Sequence, residues 1–171
     1  EKCAGKTIYA EAFAKEERDA AAATAALRDA LGKERTLTDD PANADYAVLF
    51  VSPSSGAYFS ATPGFLELDI CDGKVVHDVD QQGRPKAETH KETTLSGASR
   101  IAEIAKAVRG RGGKVVIHVN FTLAWELGNV EPYADALTAG FDTYQQAVWD
   151  VLCGRFSPVG KLPITLPRGD A

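Results

Sequence analysis

Five sets of residues in this 171-residue sequence have the types that chemistry requires, and their spacing removes most of the chemistry. Asp69, Asp72, Asp78 and Asp80 could gather calcium, but they lack the ligand spacing of a calcium loop and read better as the solvated face of a hairpin. His77, His90 and His118 are scattered, with no HExxH arrangement, so no catalytic metal is expected. Cys3, Cys71 and Cys153 are odd in number, far apart and without a CxxC pair, which suggests neither a zinc site nor a disulfide framework. They read as buried or idle thiols and tilt the expected location towards the cytoplasm. Gly154 to Lys161 superficially resembles a phosphate-binding loop. That motif needs four residues between its glycines and Ser or Thr after its Lys, whereas here five residues separate Gly154 from Gly160 and Leu162 follows Lys161. Gly110, Gly112 and Gly113 follow a helix and precede a strand, the reverse of a dinucleotide fingerprint. No cofactor is therefore expected. Asn120-Phe121-Thr122 spells a glycosylation sequon, but it falls where a strand should enter a sheet and reads as coincidence.

Composition narrows the partners. A net charge of −5 argues against a nucleic-acid surface, which would cluster Lys and Arg on one face. The group Arg109, Arg111 and Lys114 is explained more simply as a helix end favoured by the macrodipole. With 44% hydrophobic and 25% charged residues the chain has an ordinary globular balance, and no apolar run approaches the roughly 20 residues of a membrane span. No membrane partner is expected. The length suits a single domain over residues 1–171. There is no Met and no signal-peptide pattern in EKCAGKTIYAE, so the chain reads as a piece of a longer polypeptide.

The elements that must position any site alternate between strand and helix. Lys6 to Phe13 has the content of a strand, and Glu16 to Leu31 reads as a helix with a face of small residues that Gly32 ends. Arg35 to Thr38 adds a short strand, and Asp39-Asp40-Pro41 is turn chemistry. Tyr46 to Val51 is apolar almost throughout, as a central parallel strand is. From Ser52 to about Thr94 the alternation lapses into a long loop, in which Leu66 to Val79 reads as a hairpin turning at Asp72-Gly73. A helix over Gly97 to Arg109, a strand over Lys114 to Asn120, a short helix over Leu123 to Leu127 and a strand over Asp135 to Phe141 follow. Trp125 and Trp149 thus fall on helices and read as packing or interface residues. In the closing helix Asp142 serves as the cap, Gln145 reaches back to it, and Ala147, Val148, Val151 and Leu152 form one stripe that Gly154 stops. Leu162 to Leu166, between Pro163 and Pro167, reads as an edge strand. The fold class is α/β: a three-layer sandwich with a mostly parallel sheet, helices on both faces and an inserted loop and β-hairpin region.

GRFSPVGKLPITLP (Gly154 to Pro167) resembles the closing segment of the C-terminal α/β domain of glycoside hydrolase family 3 enzymes. ADYAVLFVSP (Ala44 to Pro53), KVVIHVN and EPYADALTAGF are similar to three strand segments of that domain. The resemblance implies a retaining exo-acting β-glycosidase, β-glucosidase-like, with a (β/α)₈ barrel ahead of this domain. The barrel would carry the nucleophilic Asp and share a β-linked glycoside substrate with this chain. It further implies that the acid/base Glu can come from this domain's long loop, where the family pattern is Glu-x-x-Asp-Arg. Glu88 occupies the Glu position, while Lys91 and Glu92 stand in place of the Asp and Arg. Such a site needs two carboxyl groups about 5 to 5.5 Å apart, only one of which could belong here. Glu88 is accordingly the candidate acid/base, and the isolated domain is expected to be inactive. Tyr58 and Phe59 are candidates for contact with the sugar ring, against a role in packing the hairpin. The alternative from a different class is a non-catalytic scaffold or carbohydrate-binding module with the same fold.

Overall fold

The computed structural model describes residues 5–55 and 67–167. In chain order the elements are β1 (Thr7–Ala14), α1 (Glu17–Gly32), β2 (Thr36–Thr38), β3 (Tyr46–Ser52), β4 (Lys74–Val79), β5 (Pro85–Glu92), α2 (Arg100–Arg109), β6 (Lys114–Asn120), β7 (Ala136–Gly140) and α3 (Gln145–Leu152). Five strands form one sheet in the order β2-β1-β3-β6-β7, and every pairing in it is parallel. Counted within that sheet alone the order is 2-1-3-4-5, a doubly wound arrangement whose direction reverses between β1 and β3.

The period of two along each strand divides the core. Ile8, Ala10 and Ala12 of β1 and Val48 and Phe50 of β3 pack with Leu27 and Leu31 of α1 and Val148 and Trp149 of α3. Tyr9, Phe13, Leu49, Val51, Val115, Ile117 and Val119 pack on the opposite face with Ile101, Ile104, Ala105 and Val108 of α2. Burial on both faces is why β3 and β6 read as nearly unbroken apolar runs. The three-layer α/β expectation is what the chain adopts.

Four local expectations are corrected. The hairpin is β4 with β5, turning over residues 80–84, and Asp72-Gly73 lies before it. Gly73 does take a left-handed φ of 69°, but the Asp72 carboxylate accepts from Thr93 Oγ1 at 3.2 Å and from the Gly97 amide at 2.8 Å. Those long-range bonds draw the turn onto residues 93–97 in place of a tight two-residue reversal. Residues 123–127 are not helical: Trp125 is fully buried, and Glu126 N donates to Leu68 O at 2.9 Å beside an Asp69–Glu126 parallel bridge. Tertiary packing overrides the helix preference of that segment. Asp142 does not cap α3, which begins at Gln145 with Tyr144 in the capping position and no side-chain bond there. Residues 162–166 form no strand; Ile164 and Leu166 rest half-buried on the α2-side core, and the flanking prolines offer no amide for a ladder.

The outer side of β1 is only partly paired, because β2 reaches no further than Tyr9. Beyond that point α1 covers the backbone: Thr24 Oγ1 accepts from Ala12 N at 2.9 Å and donates to Ala12 O at 3.2 Å. A broad, shallow groove of about 790 Å³ runs here, floored by small side chains and bounded by Arg100, whose guanidinium binds the Glu11 carboxylate at 2.8 Å. Two of its charged pairs, Glu11–Arg100 and Arg28–Asp39, already satisfy one another, so it offers little chemistry.

The amino ends of the strands are fixed by one device used twice. A 3₁₀ turn (Pro41–Asn43 or Glu131–Tyr133) leads into Ala-Asp, and that Asp exchanges bonds with the start of the neighbouring strand. Asp45 Oδ2 accepts from Thr7 N at 2.9 Å while Asp45 N donates to Thr7 O at 2.8 Å. Asp135 Oδ2 accepts from Val115 N at 2.9 Å while Asp135 N donates to Val115 O at 2.8 Å. The backbone bonds from Thr7 and Val115 are the main reason both carboxyls titrate below the usual range. Gly113 completes this edge with no room for a side chain, since a Cβ would lie 2.8 Å from Val108 O and 2.9 Å from Asp45 O. Carbonyl groups on two sides cannot rotate away as a side chain can. Gly113→Ala is expected to cost up to about 3 kcal/mol, read as a shift of the urea midpoint at unchanged m-value.

Candidate functional site

In doubly wound sheets ligands gather outside the carboxyl ends of the strands, near the point where strand order reverses. Here the chain itself occupies that point, between β1 and β3. Ser54 N donates to Thr94 O at 2.9 Å, Ser96 N to Ala14 O at 3.0 Å, and Ser96 Oγ to Lys15 O at 2.5 Å. Thr94 and Leu95 are fully buried, and Thr94 Oγ1 accepts from Cys71 N at 2.9 Å while donating to Asp69 O at 2.7 Å. The β4–β5 hairpin is therefore rooted at the switch point, and its outer half stands in solvent: Pro85 to Lys91 are all exposed.

Glu88 lies on this exposed part of β5, in a strand and not in the irregular loop that the sequence suggests. Its carboxylate makes no hydrogen bond or ion pair among the described residues. His90 and Glu92 follow at intervals of two, so the three share one face of the strand. Asp78 Oδ1 holds His90 Nδ1 at 2.6 Å, and Glu92 is tied to Lys15 Nζ at 3.3 Å. Of the two carboxylates that the sequence placed in this stretch, Glu92 is committed and Glu88 is free among the described residues. Tyr58 and Phe59 lie outside the described residues.

One strand further along the same edge is a polar crevice of about 320 Å³, on the side of the sheet that carries α1 and α3. Phe50, His118 and Thr138 form a row across β3, β6 and β7, each the register partner of the next. His118 is only 5% exposed, packs tilted against Phe50 with ring centroids 5.0 Å apart, and shares a 3.0 Å bond between Nδ1 and Thr138 Oγ1. Gly140 makes the space for this ring: a Cβ there would stand 2.6 Å from both Nε2 and Cε1. At the rim Asn120 and Asp142 bond reciprocally, Asn120 Nδ2 to Asp142 Oδ1 at 3.1 Å and Asp142 N to Asn120 Oδ1 at 2.8 Å. Asp142 pays for that exchange with a left-handed φ of 50°.

Burial pushes the His118 imidazole down to about 4, so it is neutral at pH 7. In the unfolded chain it would titrate near 6.5. Between these values the unfolded state holds more protons, so this residue's contribution to stability is complete above about 6.5 and is lost as pH falls towards 4. The loss amounts to about 3 kcal/mol over that window. The carboxylates of Asp45 and Asp135 act later: their contribution is present above the ordinary carboxyl range and is lost below it. Denaturant melts at a series of pH values should show a slope between 6.5 and 4 that flattens in His118→Asn.

The crevice escapes the sequence reading because its parts are far apart in the chain. The available signals are one imidazole inside an apolar run, KVVIHVN, and a polar residue, Asp142, two positions after a strand that ends in Gly140. Among the described residues no group of three His, Cys, Asp or Glu side chains could hold a metal ion. No helix among them is long and apolar enough to cross a membrane.

A parallel doubly wound sheet, with helices on both faces and an inserted hairpin rooted at the reversal of strand order, defines an α/β domain. Its sequence is matched over residues 8–171 by the model of the glycosyl hydrolase family 3 C-terminal domain. The chain belongs to that family and is a glycoside hydrolase domain. No curated protein and no solved structure matches it.

Proposed function

We propose that this domain completes the active site of a retaining, exo-acting β-glycosidase. In this reading a preceding (β/α)₈ barrel supplies the nucleophilic Asp and most of the recognition of the β-linked sugar, and Glu88 supplies the acid/base. The observation that carries the reading is the placement of Glu88: an exposed carboxylate without a partner among the described residues, on a hairpin that is buried at its root and bare at its tip. A two-stranded hairpin standing alone in water is only marginally stable, so a surface facing it would steady it. The same surface would dry the carboxylate. Burial raises a carboxyl pKa, which is what a general acid at neutral pH requires.

The mechanism then divides between two bodies. A carboxylate on the barrel attacks the anomeric carbon while the Glu88 carboxylic acid gives its proton to the departing oxygen. In the second step Glu88, now ionised, takes a proton from water as the glycosyl-enzyme ester is hydrolysed. Two experiments test this division. The 171-residue chain alone should show no turnover of an aryl β-glycoside. The same chain joined to its barrel should show turnover. Activity in the isolated chain would overturn the proposal.

A further inference from the structure

We propose that His77 is a positioning residue for Glu88: from β4 its Nδ1–H holds the carbonyl oxygen of Lys86, and so fixes the bulge of β5 from which the Glu88 carboxylate projects. The inference rests on the acid/base reading above and adds to it what aims the carboxyl group.

The register of the hairpin shows why an aiming device is needed. From the root outwards the ladder runs Lys74 against Glu92, Val75 against Lys91, Val76 against His90 and His77 against Thr89. One more regular step would set Asp78 directly against Glu88. Like charges opposite each other on neighbouring strands are destabilising, and each carboxylate would disfavour the ionised form of the other. That step is not taken. Pairing resumes only at Val79 with Pro85, so Lys86, Ala87 and Glu88 of β5 stand against the single residue Asp78 of β4. A bulge of this kind breaks the ladder, bends its strand and re-aims the side chains that it carries.

Two neighbouring side chains of β4 hold the bulge in place. Asp78 Oδ1 accepts from His90 Nδ1 at 2.6 Å, which engages the carboxylate that Glu88 would otherwise meet. His77 Nδ1 lies 2.8 Å from Lys86 O. A carbonyl oxygen only accepts, so Nδ1 carries the proton and the tautomer of the neutral ring is fixed by this bond. Thr89, the register partner of His77, directly follows Glu88, so the period of two places His77 and Glu88 on opposite faces of the hairpin. The ring therefore pins the bulge from behind and leaves the face that Glu88 shares with His90 and Glu92 clear. His77 is exposed, so its contribution is the bond to Lys86 and not packing.

The test compares His77→Phe, His77→Asn and Glu88→Gln in the barrel-containing enzyme, each on a glycoside with a poor leaving group and on an activated aryl glycoside. Phe keeps a ring and loses the donor, whereas Asn offers an amide N–H near the place of Nδ1. On the poor leaving group His77→Phe is expected to lower kcat about tenfold, the effect of one lost hydrogen bond, with KM and the melting temperature unchanged. The burst of phenolate from the activated glycoside should keep its rate, and His77→Asn should recover most of the lost kcat. If His77→Phe matches the parent while Glu88→Gln is impaired, this inference is overturned and the acid/base reading stands. A burst slowed as much as kcat, or no recovery in His77→Asn, would overturn it equally. If Glu88→Gln itself matches the parent, the acid/base reading falls and this inference falls with it.

Discussion

Replacing Glu88 by Gln in the barrel-containing enzyme is expected to lower kcat about 10²- to 10⁴-fold for a glycoside with a poor leaving group, the usual worth of a positioned general acid. An aryl glycoside whose phenolate departs unaided should lose far less at the first step, because it needs no proton there. The second step still loses its base, so the glycosyl-enzyme should accumulate and KM should fall together with kcat. This signature separates an acid/base from a residue that only braces the interface, whose removal would slow both substrates alike. Equal rates for Glu88→Gln and the parent would move the acid elsewhere. His90→Ala should not mimic the variant, since His90 shares the face of β5 but is engaged with Asp78 at 2.6 Å.

Trp125→Ala is expected to cost the fold about 3–5 kcal/mol, the range for deleting a large buried aromatic. The indole is fully buried in the α2-side core, and its Nε1 has no hydrogen-bond partner among the described residues, so packing dominates its hold. Its segment has no helix or ladder of its own to fall back on. The backbone neighbours couple this plug to the hairpin, because Glu126 N reaches Leu68 O at 2.9 Å just ahead of buried Ile70 and Cys71. The loss should therefore appear both as a lower global melting temperature, by roughly 2–4 °C for each kcal/mol, and as faster hydrogen exchange at Cys71 and Thr94. Trp125→Phe, which keeps most of the volume, should recover a large part of both.

The sheet was legible in the sequence because its strands are buried on two faces. β3 and β6 announce themselves as YAVLFV and KVVIHVN, and the i, i+3, i+4, i+7 spacing of Ile101, Ile104, Ala105 and Val108 does the same for α2. What failed was local chemistry governed by distant partners. Strand β5 reads PKAETHKE, with no apolar alternation, since neither of its faces is buried for most of its length. Asp72-Gly73 has the residues of a hairpin turn, but Thr93 and Gly97 claim its carboxylate. Asp142 has the residue type of a helix cap and is instead engaged by Asn120, across the gap from another strand. For the site, the sequence pointed to Glu88 only through a family resemblance, and for the surroundings of His118 it offered only an imidazole inside an apolar run and a polar residue after a strand.

The paired aspartates at the amino edge carry a wider consequence. Asp45 and Asp135 set the alignment of β1 with β3 and of β6 with β7 at the end of the sheet remote from every candidate site. The excursion from Pro53 to Ser99 leaves from the opposite end, so only its buried root, around Ile70, Thr94 and Leu95, packs against the sheet, and the aspartates set the register without it. Lengthening such a loop twofold costs only about 0.6 kcal/mol in closure entropy. The domain thus divides its labour between two rims: one fixes strand alignment, while the other carries a hairpin whose outer half can change without the sheet having to be rebuilt.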